Sequence, residues 1–341
     1  MIKRAAAATL ACLFLIGGVY AGAYGFRSLE TNPFLSPSYS DRFQDALMGP
    51  YQLPLTENDA IFYFTTVMSE EWDLDELAGG GSLPWIQNGR TEIQASFVGK
   101  NLSLTAFSST YFADRRPGGI SVYDIWNTLG IQLDWGLQFG WFSLGITMEG
   151  GSEMIRNDIA VTDWINAMEN AYFSSFRHAS DRDFFSLGFG MAADAGIFSI
   201  AVKADDLITL RDEDIYIGWD AIIDSLSLSV ALRYPEFTKR GDLNLVRPRM
   251  SWTLSGNPAE HDMQTAFKGE LLFQLLPELD LSVALGYRET KHGWFDFDPM
   301  NGLFMTGFSV LGESFGVTVL FNVATGDWRT FSPAISFTWA R

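Results

Sequence analysis

The chain has 341 residues, 47% hydrophobic and 15% aromatic, with 41 acidic residues against 23 Lys and Arg and a formal net charge of -18. That balance excludes a phosphate-backbone binder, because nucleic acid requires a basic face. Gly 32 with Phe 28, Trp 11 and Tyr 11 points away from a helical bundle and toward strands with close backbone approach and interfacial rings.

At the N-terminus, Lys3 and Arg4 precede an apolar run from Ala5 to Tyr20, and Ala21-Gly22-Ala23 follows. This is the layout of a secretory signal removed after Ala23. Cys12, the single cysteine, lies inside that run, so the mature chain has no disulfide framework. Cleavage takes away Lys3 and Arg4 and no acid, leaving 21 basic against 41 acidic residues, a net charge of -20. No later uncharged run approaches the roughly 18 residues of a helical span. A mature chain that crosses a bilayer must therefore close a β-barrel, the other way to satisfy every backbone group in hydrocarbon.

Residues 24–57 carry Pro33, Pro37, Pro50 and Pro54 with little alternation, so they are not membrane strand. They form either a periplasmic tail or a plug folded into the lumen. From 58 to 341 the pattern is that of a transmembrane antiparallel barrel. Ile131, Leu133, Trp135, Leu137 and Phe139 alternate with Gln132, Asp134, Gly136, Gln138 and Gly140, and Leu226, Leu228, Val230 and Leu232 with Ser227, Ser229, Ala231 and Arg233. Val317, Val319, Phe321 and Val323 oppose Thr318, Asn322 and Ala324, with Leu320 out of step, and Phe331 to Trp339 alternate with Ser332 to Ala340. A soluble sandwich would show shorter strands and Lys, Glu and Thr on its wet face, whereas Gly, Ala, Ser, Asn and Gln fill the second face here.

The alternation predicts strands at about 59–68, 91–98, 101–112, 128–139, 141–149, 184–194, 196–204, 215–223, 225–236, 264–275, 279–288, 302–311, 316–324 and 331–340. That makes about fourteen, with twelve and sixteen as bounds. Short links such as Gly99-Lys100-Asn101, Asp194-Ala195-Gly196, Asp224-Ser225 and Pro277-Glu278 alternate with long ones such as 69–90, 150–183, 205–214 and 237–263. Short periplasmic turns and long external loops produce that rhythm. Residues 244–255 also alternate, but one more strand would leave the C-terminus outside, so they are assigned to a long external loop; as a true strand they would imply sixteen. Residues 162–177 place Trp164, Ile165, Met168, Tyr172 and Phe176 at helical spacing, which predicts a short amphipathic loop helix.

Catalytic sets are scarce. His178, His261 and His292 fall in loops without metal-pair or nucleophile spacing, and no glycine-rich phosphate cradle occurs. No enzyme, metal or cofactor is expected. Lumen-facing Arg233, Lys203, Lys268, Glu270 and Asp134 form either a polar constriction or ion pairs that hold the barrel together. The apolar capture surface is assigned to Trp164, Tyr172 and Phe176 on the loop helix and to Trp252 in the surplus segment.

The signal sequence, the proline-bearing segment with Asn32-Pro33-Phe34 before the first strand, the fourteen strands and the aromatic-rich last strand resemble the FadL-like long-chain fatty acid transporters, including their divergent spirochaetal versions. In that family an Asn-Pro-Ala stretch sits in the N-terminal hatch; Phe34 replaces the Ala here, and Ala340-Arg341 follow the terminal aromatic Trp339. The resemblance implies plug residues at Asn32, Pro33 and Phe34. It also implies passive outer-membrane transport of a hydrophobic small molecule such as a fatty acid. The expected partners are outer-membrane lipid, the ligand and the barrel assembly machinery. A general porin for small polar solutes is the alternative, with a surface adhesin or a barrel enzyme behind it.

Overall fold

The computed structural model describes residues 32–39, 48–55, 60–73, 88–114, 122–160, 182–211, 214–217, 225–233, 246–257, 262–276, 279–291, 302–312, 315–326 and 330–340. The strands are β1 (Ala60–Asp73), β2 (Asn88–Gly99), β3 (Leu102–Asp114), β4 (Val122–Phe139), β5 (Phe142–Ala160), β6 (Arg182–Asp194), β7 (Phe198–Arg211) and β8 (Asp214–Ile217). They continue as β9 (Leu226–Arg233), β10 (Val246–Asn257), β11 (Asp262–Leu276), β12 (Leu279–Lys291), β13 (Gly302–Gly312), β14 (Phe315–Ala324) and β15 (Thr330–Ala340). A short 3-10 turn covers Pro50–Leu55.

Every pairing is antiparallel. Strands β1 to β6 pair in succession, β15 joins β1 to β14, the succession runs back from β14 to β9, and β9 pairs β7, which closes on β6. This is a closed ring of fourteen strands, with β8 outside it on the edge of β7. Closure leaves the ring without an unpaired edge, the condition for crossing hydrocarbon.

The period of two sorts the faces. Phe337 and Trp339 are 48% and 43% exposed, while Ala334 on the other face of β15 is 7% exposed. Around the ring the outward positions present Phe64, Phe97, Trp135, Phe139, Phe198, Leu232, Phe267, Leu285, Phe308 and Phe315. The inward positions are mostly Ser, Thr, Gln, Gly and Ala with charges among them, and a smaller number of buried apolar side chains such as Tyr63, Val98, Phe107, Met305 and Leu320, so the continuous oily surface is on the outside, where lipid takes the place of water. At the short-turn end the links are tight: Gly140 and Gly196 hold φ of 66° and 82°, the left-handed region that glycine enters at no steric cost.

The ring has the expected number of strands but a different membership. Residues 215–223 are not a wall strand: Asp214–Ile217 pairs only with β7, and 218–224 lie outside the described residues. Of residues 244–255, assigned to an external loop, 246–255 belong instead to β10, paired with both β9 and β11, and 244–245 lie outside the described residues. Asp224-Ser225 is not a short-turn-end link, because β9 starts opposite Ala204, well up the wall. Arg233, at the other end of β9, bonds the Ile197 carbonyl, so the connection to β10 leaves from the short-turn end and the supposed long link 237–263 does not exist as one loop. The physical cause is that β7 pairs β8 above and β9 below, an exchange that leaves no mark in either strand's alternation.

Candidate functional site inside the barrel

The lumen holds residues 32–39 and 48–55. Their seat begins with three glycines. Gly136 pairs Gly145 and Gly145 pairs Gly190, so one inward row across β4, β5 and β6 lacks side chains. The 3-10 turn fills that hollow: a Cβ on Gly136 would meet the Pro50 carbonyl, one on Gly145 the backbone of Pro50 and Tyr51, and one on Gly190 the Tyr51 ring. Tyr51 and Leu53 are fully buried, and Leu53 packs on Val98.

Polar ties join this turn to the second piece. Tyr51 donates its hydroxyl to the Pro37 carbonyl at 3.0 Å. Burial, and after it the negative charge of Asp205, pushes the Tyr51 phenol above its ordinary value, so it remains a donor. Gln52 donates through Nε2 to the carbonyls of Pro37 at 2.6 Å and of Tyr39.

Residues 32–39 meet the opposite wall. The Asn32 side chain accepts the Phe34 N–H at 2.9 Å, a local turn that presents the neighbouring carbonyls outward. Lys268 on β11 donates to the carbonyls of Asn32 and Leu35 at 2.9 and 2.8 Å. Arg249 on β10 donates to the Phe34 carbonyl at 2.8 Å and to Glu270 at 2.5 Å, and its guanidinium lies 4.0 Å from the Tyr39 ring centroid. Ser229 reaches the hydroxyls of Ser36 and Ser38 at 3.2 and 2.8 Å, and Ser199 donates to the Ser38 carbonyl at 2.5 Å. Arg249, Lys268 and Glu270 are all buried, a setting in which hydrogen bonds to a charged group count most.

The apolar half of the same level receives the Phe34 ring. Ala334, Leu320, Gly307 and Ala284 are in register across β15, β14, β13 and β12, and Phe34 clusters with Ala284, Leu320 and Ala334. Pro33 lies over Gly286. Leu320, out of step with its strand's alternation, is 2% exposed and faces inward as part of this hollow.

All five charges assigned to the lumen are on inward positions, but they do different things. Lys268 and Glu270 belong to the clasp on the N-terminal segment. Arg233 pairs Asp194 near the short-turn end, Lys203 pairs Asp205 at 2.7 Å, and Asp134 accepts from Ser103, Thr147 and Gln132 at 2.8, 2.7 and 2.9 Å. Trp252 is not in an external loop: it is an outward wall residue of β10 that donates to Thr265 at 2.8 Å and stacks on Phe267 with centroids 6.5 Å apart. Trp164, Tyr172, Phe176 and the rest of the expected loop helix lie outside the described residues, as does the signal sequence. The sequence reading missed Arg249, the glycine row and Ser229 as contacts of the N-terminal segment. The signal for Arg249 was available, since it sits on the inward face of the alternation in 244–255.

No protein-family model and no curated protein matches the sequence. Among solved structures the fold is similar to the CymD monoaromatic hydrocarbon channel, with a TM-score of 0.51 and 9% identity over 95% of this chain and 97% of that one. A TodX mutant, also a monoaromatic hydrocarbon channel, gives 0.51 and 8% over 89% and 95%. The toluene transporter TbuX of Ralstonia pickettii gives 0.50 and 8% over 89% and 94%. The chain spans only 60% of CdiB from Acinetobacter baumannii, at a TM-score of 0.44 too distant to carry an argument. The three channels are of the FadL family, so the fold that the resemblance implied is the fold this chain has.

Proposed function

We propose that this chain is an outer-membrane channel for passive uptake of hydrophobic small molecules such as fatty acids, exported behind its cleaved signal and closed at rest by its N-terminal segment. One observation carries the reading. The segment bonds to β7, β9, β10 and β11 on one side and packs on β4, β5 and β6 on the other, so it occupies the path that a small polar solute would take. The hydrocarbon channels that share the fold support the same class of cargo. Lipid around the oily exterior and the barrel assembly machinery are the partners this location requires.

General diffusion of polar solutes is the second reading, favoured by inward Gln94, Ser96, Thr105, Gln132 and Thr147, which would line a wet pore if the segment left. The test is a side-by-side measurement on refolded full-length protein: binding of a fluorescent fatty acid, and swelling of protein-loaded liposomes in small sugars. Uptake of hydrophobic cargo predicts binding with slow swelling. Rapid swelling without binding would move the assignment to the diffusion porin.

A further inference from the structure

We infer that the lumen carries a binding site for phenols, with the ligand hydroxyl held by Asn322 and its ring in the hollow that Phe34 fills at rest; the inference deepens the proposed function and rests on it. Asn322 is on the inward face of β14, two residues farther from the short-turn end than Leu320, and is 7% exposed. Its side-chain oxygen Oδ1 is buried, and among the described residues nothing donates to it. The residues level with it offer little: Met305, its partner on β13, is apolar and fully buried, and its partner on β15 is Ser332. An acceptor buried without a donor costs free energy in the resting state, and a ligand that brings the donor recovers it.

One inward step below that amide is the apolar hollow of Ala284, Leu320 and Ala334, with the Phe34 ring in it and Gly307 against the ring. Leu320 and Asn322 are two residues apart on one strand, about 7 Å along the wall. A ring lying in the hollow spans that step with its own radius, one C–O bond and one hydrogen bond. Phe34 is a bare ring, so it fills the hollow and leaves the amide unanswered. A phenol fills the same hollow and donates its O–H to Asn322 Oδ1. Its ordinary pKa of about 10 keeps that proton in place at neutral pH. An ionised carboxylate has no proton to give there, and a plain hydrocarbon repeats what Phe34 already does. A buried acceptor therefore selects the hydroxyl over both, because the other two leave it unpaired. The ligand and the Phe34 ring exclude each other, so binding requires residues 33–35 to withdraw from the hollow.

The test is calorimetric titration of refolded full-length protein with p-cresol, p-xylene, which has a methyl group in place of the hydroxyl, and 4-methylbenzoate, which has a carboxylate there. p-Cresol should bind about tenfold more tightly than either analogue, the scale of one hydrogen bond to a buried group that otherwise has none. Asn322→Leu keeps the shape and removes the acceptor; it should bring p-cresol down to the affinity of p-xylene and leave p-xylene bound. Phe34→Ala removes the internal competitor and leaves the wall intact, so it should tighten p-cresol and p-xylene alike, because apparent affinity scales with the fraction of open site. If Asn322→Leu does not assemble, the ranking of the three ligands on the parent and on Phe34→Ala decides. p-Xylene or 4-methylbenzoate bound as tightly as p-cresol, the result expected if an ordered water already answers the amide, overturns the inference and leaves hydrophobic uptake standing. A preference for p-cresol that survives Asn322→Leu, or a p-cresol affinity untouched by Phe34→Ala, does the same. No hydrophobic probe bound while small sugars pass overturns both.

Discussion

Arg249 combines a bond to Glu270, a bond to the Phe34 carbonyl and a stack on Tyr39. A lysine could not replace it, because the planar fork both bonds along its edge and stacks through its face. On the wall's other side, the residues answer to lipid. Phe337 faces outward and Ser336 inward, beside Thr65 and Thr318. Phe337→Arg should therefore cost roughly 2–4 kcal/mol if it lies near mid-bilayer, and Ser336→Arg, whose guanidinium meets the polar lumen, far less. Urea unfolding of the two variants in the same lipid checks this. Equal loss at both positions would contradict the facing of β15.

At the scale of elements, the glycine row and the 3-10 turn are a matched pair, made from strands whose residues 136, 145 and 190 are distant in sequence but level in register. Gly145→Leu should fill the seat; overpacking of this kind costs about 1–3 kcal/mol, and every ~1.4 kcal/mol is tenfold in the seated population. Ion conductance across a planar bilayer should rise in that variant, while Gly269→Leu, where an added Cβ meets nothing within 4 Å, should leave the channel as closed as the parent. A rise of the same size in both would remove the seat from the account. The row was visible in the sequence only as small residues on the second face, because nothing in one strand tells which glycine of the next lies beside it. Period-two alternation made the inward and outward faces of β4, β6, β9 and β15 legible, since each strand carries that signal by itself. Strand membership was less legible: the return of β7 to β9 past β8 is a pairing between strands that are not successive, and counting links from end to end assigned 215–223 to the wall in place of β10. That exchange hid Arg249. Leu320 shows the reverse case, an apparent fault in the alternation that marks where Phe34 docks.

At the scale of the whole molecule, the barrel supplies a lipid-facing shell and a polar inner wall, and the N-terminal segment spans that wall as an internal strut. Its two halves are held differently, 48–55 by shape against glycines and 32–39 by carbonyls on buried cations, with Tyr51 and Gln52 tying one half to the other. The proposed closure at rest and the proposed admission of hydrophobic cargo both depend on the strut being inside. A cysteine pair tests that placement directly. The hydroxyl oxygens of Ser38 and Ser229 are 2.8 Å apart and join the strut to β9, while the lone native cysteine, Cys12, falls in the expected signal sequence. The measurement is disulfide formation in full-length Ser38→Cys/Ser229→Cys protein, with planar-bilayer conductance recorded before and after reduction. A strut seated in the lumen gives a cross-link in the assembled barrel and a channel held closed until it is reduced. Failure to cross-link in an assembled barrel, or full conductance with the cross-link in place, would contradict it.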